Sequence, residues 1–141
     1  MKMTVRPYSP GDENAVLELW RKCNLTRPWN NPKLDIERKL KVNPELFLVG
    51  LVGGRIIATV IGGYDGHRGW IQYLAVAPDY QRRGLGSKIT KAVEEKILGI
   101  GCPKINLQIR AENAAVVAFY ESIGYQTEDI ISMGKRLAED E

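Results

Sequence analysis

Cysteine is scarce in this chain, and neither Cys23 nor Cys102 stands in CxxC or metal-ligand spacing. A disulfide scaffold and a cysteine-built metal site are therefore excluded, and both thiols are expected reduced and packed as small hydrophobes. No stretch approaches the roughly 18 apolar residues of a membrane span, and residues 1–8 carry no apolar run of signal-peptide length. The expectation is a cytoplasmic protein with no membrane partner. An excess of one charge is also missing: 20 Lys and Arg face 17 Asp and Glu, leaving +3, with an acidic stretch at 139–141. That balance gives no case for nucleic-acid binding. Repeats and low-complexity segments are absent. What remains, 141 residues of which 44% are hydrophobic and 26% charged, fits one globular domain over 1–141 with one core.

The hydrophobic pattern gives the order of elements. Met3 to Tyr8 reads as a strand, and Ser9, Pro10 and Asp12 supply N-cap, first helical position and capping-box acid for a helix to about Cys23, with Val16, Leu17, Trp20 and Cys23 on its apolar face. Asn31-Pro32 caps a second helix through Leu34, Ile36 and Leu40, which Asn43-Pro44 stops. Leu46–Val52 and Arg55–Ile61 form a hairpin around Gly53-Gly54, and Trp70–Val76 adds a third strand. The run from Gly62 to Gly69 is glycine-rich enough to predict a loop or bulged strand end. Leu85, Ile89, Val93, Ile97 and Ile100 recur at helical spacing, with Gly99 or Gly101 as the stop. A strand at Ile105–Arg110, a helix from Asn113 through Tyr120 ended by Gly124, and a last strand at Tyr125–Lys135 complete the chain. The layout predicts an α/β or α+β domain of three layers: about four helices on both faces of a mixed, mostly antiparallel sheet.

One segment carries chemistry by its position. Gln81-Arg82-Arg83-Gly84-Leu85-Gly86 lies between a strand ending at Val76 and the start of a helix. Free N–H groups of a first helical turn, glycines that admit close approach and two arginines would together hold a pyrophosphate. A P-loop is excluded because Gly86 is followed by Ser87-Lys88, and a dinucleotide fingerprint because its third glycine falls on Ile89. The plainer reading is a glycine turn with solvated arginines.

Leu74-Ala75-Val76-Ala77-Pro78 leading into that loop resembles the acetyl-CoA-binding motif of Gcn5-related (GNAT) acetyltransferases. Arg110-Ala111-Glu112-Asn113-Ala114-Ala115 and Phe119-Tyr120-Glu121-Ser122-Ile123-Gly124-Tyr125 resemble the family's second block, particularly in its RimI-like members. The resemblance is strong over 70–125, while Arg27-Pro28-Trp29-Asn30 and the Gly62-to-Gly69 segment are similar to the bacterial subgroup called YpeA. It implies a GNAT fold splayed between the fourth and fifth strands, acetyl-CoA as cosubstrate, no metal, and transfer to a small amine, a protein N-terminus or a lysine within a ternary complex.

The resemblance also implies roles. Backbone groups of Leu74, Ala75 and Val76 would receive the pantetheine arm, and amides of Gln81, Arg82, Arg83, Gly84, Leu85 and Gly86, with Ser87, the pyrophosphate. Asn113 would touch the pantetheine from the other side, or serve only as a helix N-cap. Tyr120 takes the position of the acid that protonates the departing thiolate, while an N–H near Leu74 would stabilise the oxyanion; the plainer reading is a core tyrosine beside Phe119. The base is not supplied by the pattern. Where some members carry an acid early in the strand this chain has Trp70, and Gln108 replaces the glutamate of RimI-type enzymes. An amide cannot accept the amine's proton, which argues against ribosomal-protein acetylation and leaves Asp65, His67, Glu112 or a water chain.

For the acceptor, the two N-terminal helices and the loop holding Tyr64, Asp65 and His67 should cover the open end of the sheet, making Arg27, Trp29 and Asn30 pocket candidates that suit a carboxylate-bearing amine. Two readings from other classes stand beside the enzyme: a CoA-binding sensor without turnover, and a nucleic-acid binder using Arg82, Arg83 and Lys88, which predicts a basic, aromatic-studded face and strong salt dependence. The family resemblance also makes a homodimer an expectation.

Overall fold

The computed structural model describes residues 2–139. Strand β1 (Thr4–Pro7) leads into a 3-10 turn at Pro10–Asp12 and then α1 (Glu13–Lys22). Ser9 and Asp12 form the expected capping box, and Arg6 grips the Asp12 carboxylate with two hydrogen bonds of 2.7 and 2.9 Å. Helix α2 (Pro32–Lys39) is capped by Asn31, whose side chain accepts from the Leu34 N–H at 3.2 Å. Then come β2 (Phe47–Val52), β3 (Arg55–Tyr64), β4 (Gly69–Val76), α3 (Leu85–Gly99), β5 (Ile105–Asn106) and α4 (Ala114–Ser122). Gly53 and Gly54 turn the β2–β3 hairpin with φ of 58° and 77°, the left-handed region a two-residue turn requires.

The sheet order is β1-β2-β3-β4-β5, antiparallel until β5, which runs parallel to β4. Alternation along the strands divides the core into two halves. Leu48, Val60 and Ile71 pack with Ile89, Val93 and Ile97 of α3, while Phe47, Val49 and Ile61 pack with Val16, Trp20 and Ile36 of α1 and α2. Helices therefore cover both faces, as the sequence pattern predicts.

The sequence reading fails at three places. The loop expected over Gly62–Gly69 is confined to 65–68, since β3 runs on through Gly62 and Gly63 to Tyr64 and β4 begins at Gly69. The glycines at 62 and 69 reflect the helix above: a Cβ on Gly62 would sit 2.6 Å from Val93 Cγ2, and one on Gly69 2.8 Å from Ile97 Cγ2. Strand pairing at Ile105–Arg110 is confined to Ile105 and Asn106, because the chain then leaves β4. The last strand expected at Tyr125–Lys135 does not form; residues 126–139 are irregular and exposed. Side chains tie that stretch to β5 and the residues just after it, with Asn106 bonded to Glu128 at 2.7 Å and Gln108 to Ser132 at 2.5 Å.

Candidate active site

The geometry of the site begins with a bulge. Thr59 lies opposite Ala75 and Ile61 opposite Gln72, so three steps on β4 match two on β3. The extra residue lets Tyr73 adopt φ of 51°, which costs a non-glycine residue roughly 1–2 kcal/mol. Side-chain facing records the shift: Ile71 packs on the α3 half of the core and Tyr73, two residues on, packs on the α1 half. A buried lock holds the strain. Trp20 Nε1 donates to Thr59 Oγ1 at 2.8 Å, Thr59 Oγ1 donates to the Tyr73 carbonyl at 2.9 Å, and the Tyr73 ring stacks on Trp20 with centroids 3.9 Å apart.

Beyond the bulge β4 has a free side. Pairing with β5 is limited to Gly69 with Ile105 and Trp70 with Asn106, so Leu74, Ala75 and Val76 have no β5 partner. Because the Ala77 N–H reaches the Ile57 carbonyl at 2.8 Å, the backbone groups of the preceding Val76 point away from β3 and into the gap. The Val76 carbonyl is occupied there, accepting from Gln81 Nε2 at 2.9 Å and the Cys23 thiol at 3.4 Å.

The loop after β4 rises over this gap. Arg82 and Gly84 have φ of 63° and 78°, the left-handed backbone from which anion-binding nests are built. Gly84 is the N-cap of α3 and offers no side chain to bond the first-turn amides of Leu85, Gly86 and Ser87. Gln81, Arg82, Arg83 and Gly84 are exposed, with the Arg83 guanidinium 5.8 Å from the Tyr80 ring. Lys88 is not available to this surface, since its ammonium donates to the Met3 carbonyl at 3.0 Å.

Helix α4 closes the far side. A Cβ on Gly86 would stand 3.3 Å from the Phe119 ring and 3.7 Å from Val76, so β4, α3 and α4 meet closely here and a larger residue would press on the Phe119 ring. Tyr120 packs edge-on against Phe119 and Tyr125 at 5.1 and 5.3 Å. Tyr125 spends its hydroxyl on Glu94 at 2.6 Å, whereas the Tyr120 hydroxyl bonds no described residue. Burial, with the Glu94 charge behind it, raises the Tyr120 pKa well above that of an ordinary phenol. The phenol therefore keeps its proton throughout the neutral range. Asn113 sits at the N-terminus of α4 without capping it, its side chain making no bond to the first-turn amides.

Opposite α3, the α1–α2 loop crosses the gap. Asn30 Nδ2 donates to the Tyr73 hydroxyl at 2.7 Å on the β4 side, and the Arg110 guanidinium lies 4.3 Å from the Trp29 ring on the β5 side. Arg27 approaches the same ring at 5.9 Å, and Arg136 donates to the Trp29 carbonyl at 2.8 Å. Tyr64, Asp65 and His67 stand apart from this group, where β3 turns into β4. Asp65 there accepts from the N–H groups of Arg68 and His67 and from Trp70 Nε1, and these donors, Arg68 first, draw its pKa down to about 2. A carboxylate so satisfied is a poor base. Among the described residues no cluster of histidine, cysteine or acids could hold a metal.

Sequence reasoning missed Trp20, Thr59, Tyr73, Asp35 and the convergence of Arg110 and Arg136 on Trp29. Tyr73 donates to Asp35 Oδ2 at 2.5 Å across 38 positions, and Trp20 reaches Thr59 across 39. No local pattern records such pairs. Only the positive φ of a tyrosine inside a strand marks the bulge, and that is a structural quantity.

Comparison with known proteins gives one consistent answer. Residues 14–125 match the model of the acetyltransferase (GNAT) family. An acetyltransferase of Pectobacterium atrosepticum is 49% identical over 138 residues, covering 98% of both chains. Among solved structures, the ribosomal-protein-S18-alanine N-acetyltransferase of Escherichia coli superposes with a TM-score of 0.72 at 23% identity, covering 87% of this chain and 77% of its own. The PaiA N-acetyltransferase of Thermoplasma acidophilum, solved with coenzyme A, gives 0.75 at 17% identity, covering 93% and 94%.

Proposed function

The chain belongs to the acetyltransferase (GNAT) family as an acetyl-CoA-dependent N-acetyltransferase, and from that premise we propose a direct transfer between two substrates bound on opposite faces of the β4–β5 gap. The observation that carries this reading is the unpaired edge of β4 at Leu74 and Val76, with an uncapped helix start on one side of it and a proton-bearing tyrosine behind it. Acetyl-CoA supplies the activated acyl group. The 81–87 loop binds its pyrophosphate, the free edge of β4 and Asn113 align the pantetheine, and an N–H at the bulge faces the developing oxyanion. As the new C–N bond forms and the C–S bond breaks, Tyr120 gives its proton to sulfur and the amine's proton leaves to water, from which the phenol is restored.

Gln108 and Trp70 stand where an acid would serve as base, and Asp65 is satisfied by its own turn, which leaves His67, Glu112 or water, and the route taken here is water. Thiol release from acetyl-CoA over a panel of amines, amino acids and N-terminal peptides tests the reading. Turnover that falls in Tyr120→Phe supports it; tight CoA binding without turnover on any acceptor would instead make the chain an acyl-CoA sensor.

One domain over 1–141 suffices for this chemistry. No described helix is long and apolar enough to cross a membrane, and free Cys23 and Cys102 support a reducing, cytoplasmic setting. A homodimer is favoured by the C-terminal segment, where Ile130, Ile131, Met133 and Leu137 are 72% to 91% exposed. Antiparallel pairing of two copies about Ser132 would set Ile131 against Met133 and Asp129 against Lys135. Sedimentation of the wild type and Ile131→Glu decides this: dimer against monomer supports it, and a monomeric wild type rejects it.

A further inference from the structure

Resting on the acetyl-transfer reading above, we propose that the acceptor is a small amine bearing its own anionic group, held by Arg27 and Arg110, which both approach the Trp29 indole. The two arginines come from the α1–α2 loop and the loop between β5 and α4, and reach one ring at 5.9 and 4.3 Å. Arg136 adds a third guanidinium by binding the Trp29 carbonyl at 2.8 Å, which fixes the loop in place.

Arg27, Arg110 and Arg136 converge on Trp29, and none of the three has a carboxylate partner among the described residues such as Arg6 has in Asp12, Arg21 in Glu18 and Arg38 in Asp35. Mutual repulsion makes such a cluster unfavourable by itself, and a bound anion would relieve it. The flanking guanidiniums are exposed and the indole is 47% exposed, so forked hydrogen bonds and an apolar surface are both open to a ligand.

Location distinguishes this ligand from CoA. Asn30 anchors the loop to Tyr73, on the half of the core built by α1 and α2, while α3 and the 81–87 loop cover the other half. A group bound at Trp29 therefore faces the gap from the side left open to the acceptor. Polycations would be repelled from it, and an amine with a carboxylate or phosphate a few bonds away would be oriented.

The test is steady-state kinetics on matched pairs: an amino acid against its amide, phosphoethanolamine against ethanolamine, and spermidine as polycation. The expected result is that the anionic member of at least one pair is favoured by about tenfold or more in kcat/KM, with the winning pair separating carboxylate from phosphate. In Arg27→Ala/Arg110→Ala that preference should vanish through KM, with the Kd for CoA unchanged. A wild type that prefers the neutral member or spermidine, a preference that survives the double variant, or a CoA affinity that falls with it would each overturn the proposal. If no pair turns over, calorimetric titration of the anionic amines into the CoA-saturated protein decides the same question: binding lost in the double variant supports the proposal, and no binding rejects it. Failure of CoA itself to bind would instead overturn the acetyl-transfer reading.

Discussion

The two sides of the β4–β5 gap are built in opposite ways. The α3 side is nearly contiguous in sequence: Leu74 to Ser87 supply the free strand edge, the nest and the uncapped helix start. The α1–α2 side draws Arg27, Trp29, Asn30, Asp35, Tyr73 and Arg110 from distant parts of the chain and joins them by side-chain contacts. A phosphate-bearing cosubstrate can be held by backbone amides, which any sequence with the right turn provides. Acceptor selection needs particular side chains, so that side is free to differ among relatives that share the fold. The two sides should therefore respond separately to mutation.

Tyr120→Phe should give the largest effect, a fall in kcat of about 10²-fold or more with the Kd for CoA unchanged, read by thiol release and calorimetry. Equal loss of both would join the two sides that the comparison separates. Thr59→Val comes next. It removes the lock on the bulge and strands the buried Trp20 N–H and a Tyr73 carbonyl lone pair, at a cost of about 1–3 kcal/mol for an unsatisfied buried group. Urea denaturation would show the loss, with kcat falling in step; an unchanged midpoint would mean the bulge needs no lock.

Gly62→Ala sharpens the comparison from outside the site. Its methyl would enter the space of Val93, and overpacking of this kind costs about 1–3 kcal/mol, with both substrates' KM values little changed. The smallest effect is a pH dependence remote from the gap. Asp12 has its pKa lowered, first by its hydrogen bond to Arg6 and then by the Ser9 N–H. The stabilisation it provides is fully present above its unfolded pKa and is lost as pH falls through the folded value. Since Arg6 is partly exposed, solvent screening limits this to under about 1 kcal/mol. Asp12→Asn should flatten the acid limb of stability against pH while leaving neutral-pH turnover intact.

The same division explains what the sequence could show. Capping at Ser9 and Asn31, the Gly53-Gly54 turn and the helical period from Leu85 to Ile97 are local, and each appears in the structure. Gly62 misled because its cause is α3, some thirty residues on. Tyr125–Lys135 has strand composition, but pairing depends on a partner ladder that composition cannot supply. For the site, Leu74 to Ser87 and Tyr120 were legible through family motifs. Tyr73, Thr59 and the placing of Arg110 over Trp29 required the fold.

Amide hydrogen exchange with and without coenzyme A tests the central claim most directly. The account predicts that CoA slows exchange at Leu74–Val76 and Gln81–Ser87 and leaves Arg27–Asn30 unprotected. Protection confined to the α1–α2 loop, or none at the β4 edge, would contradict it.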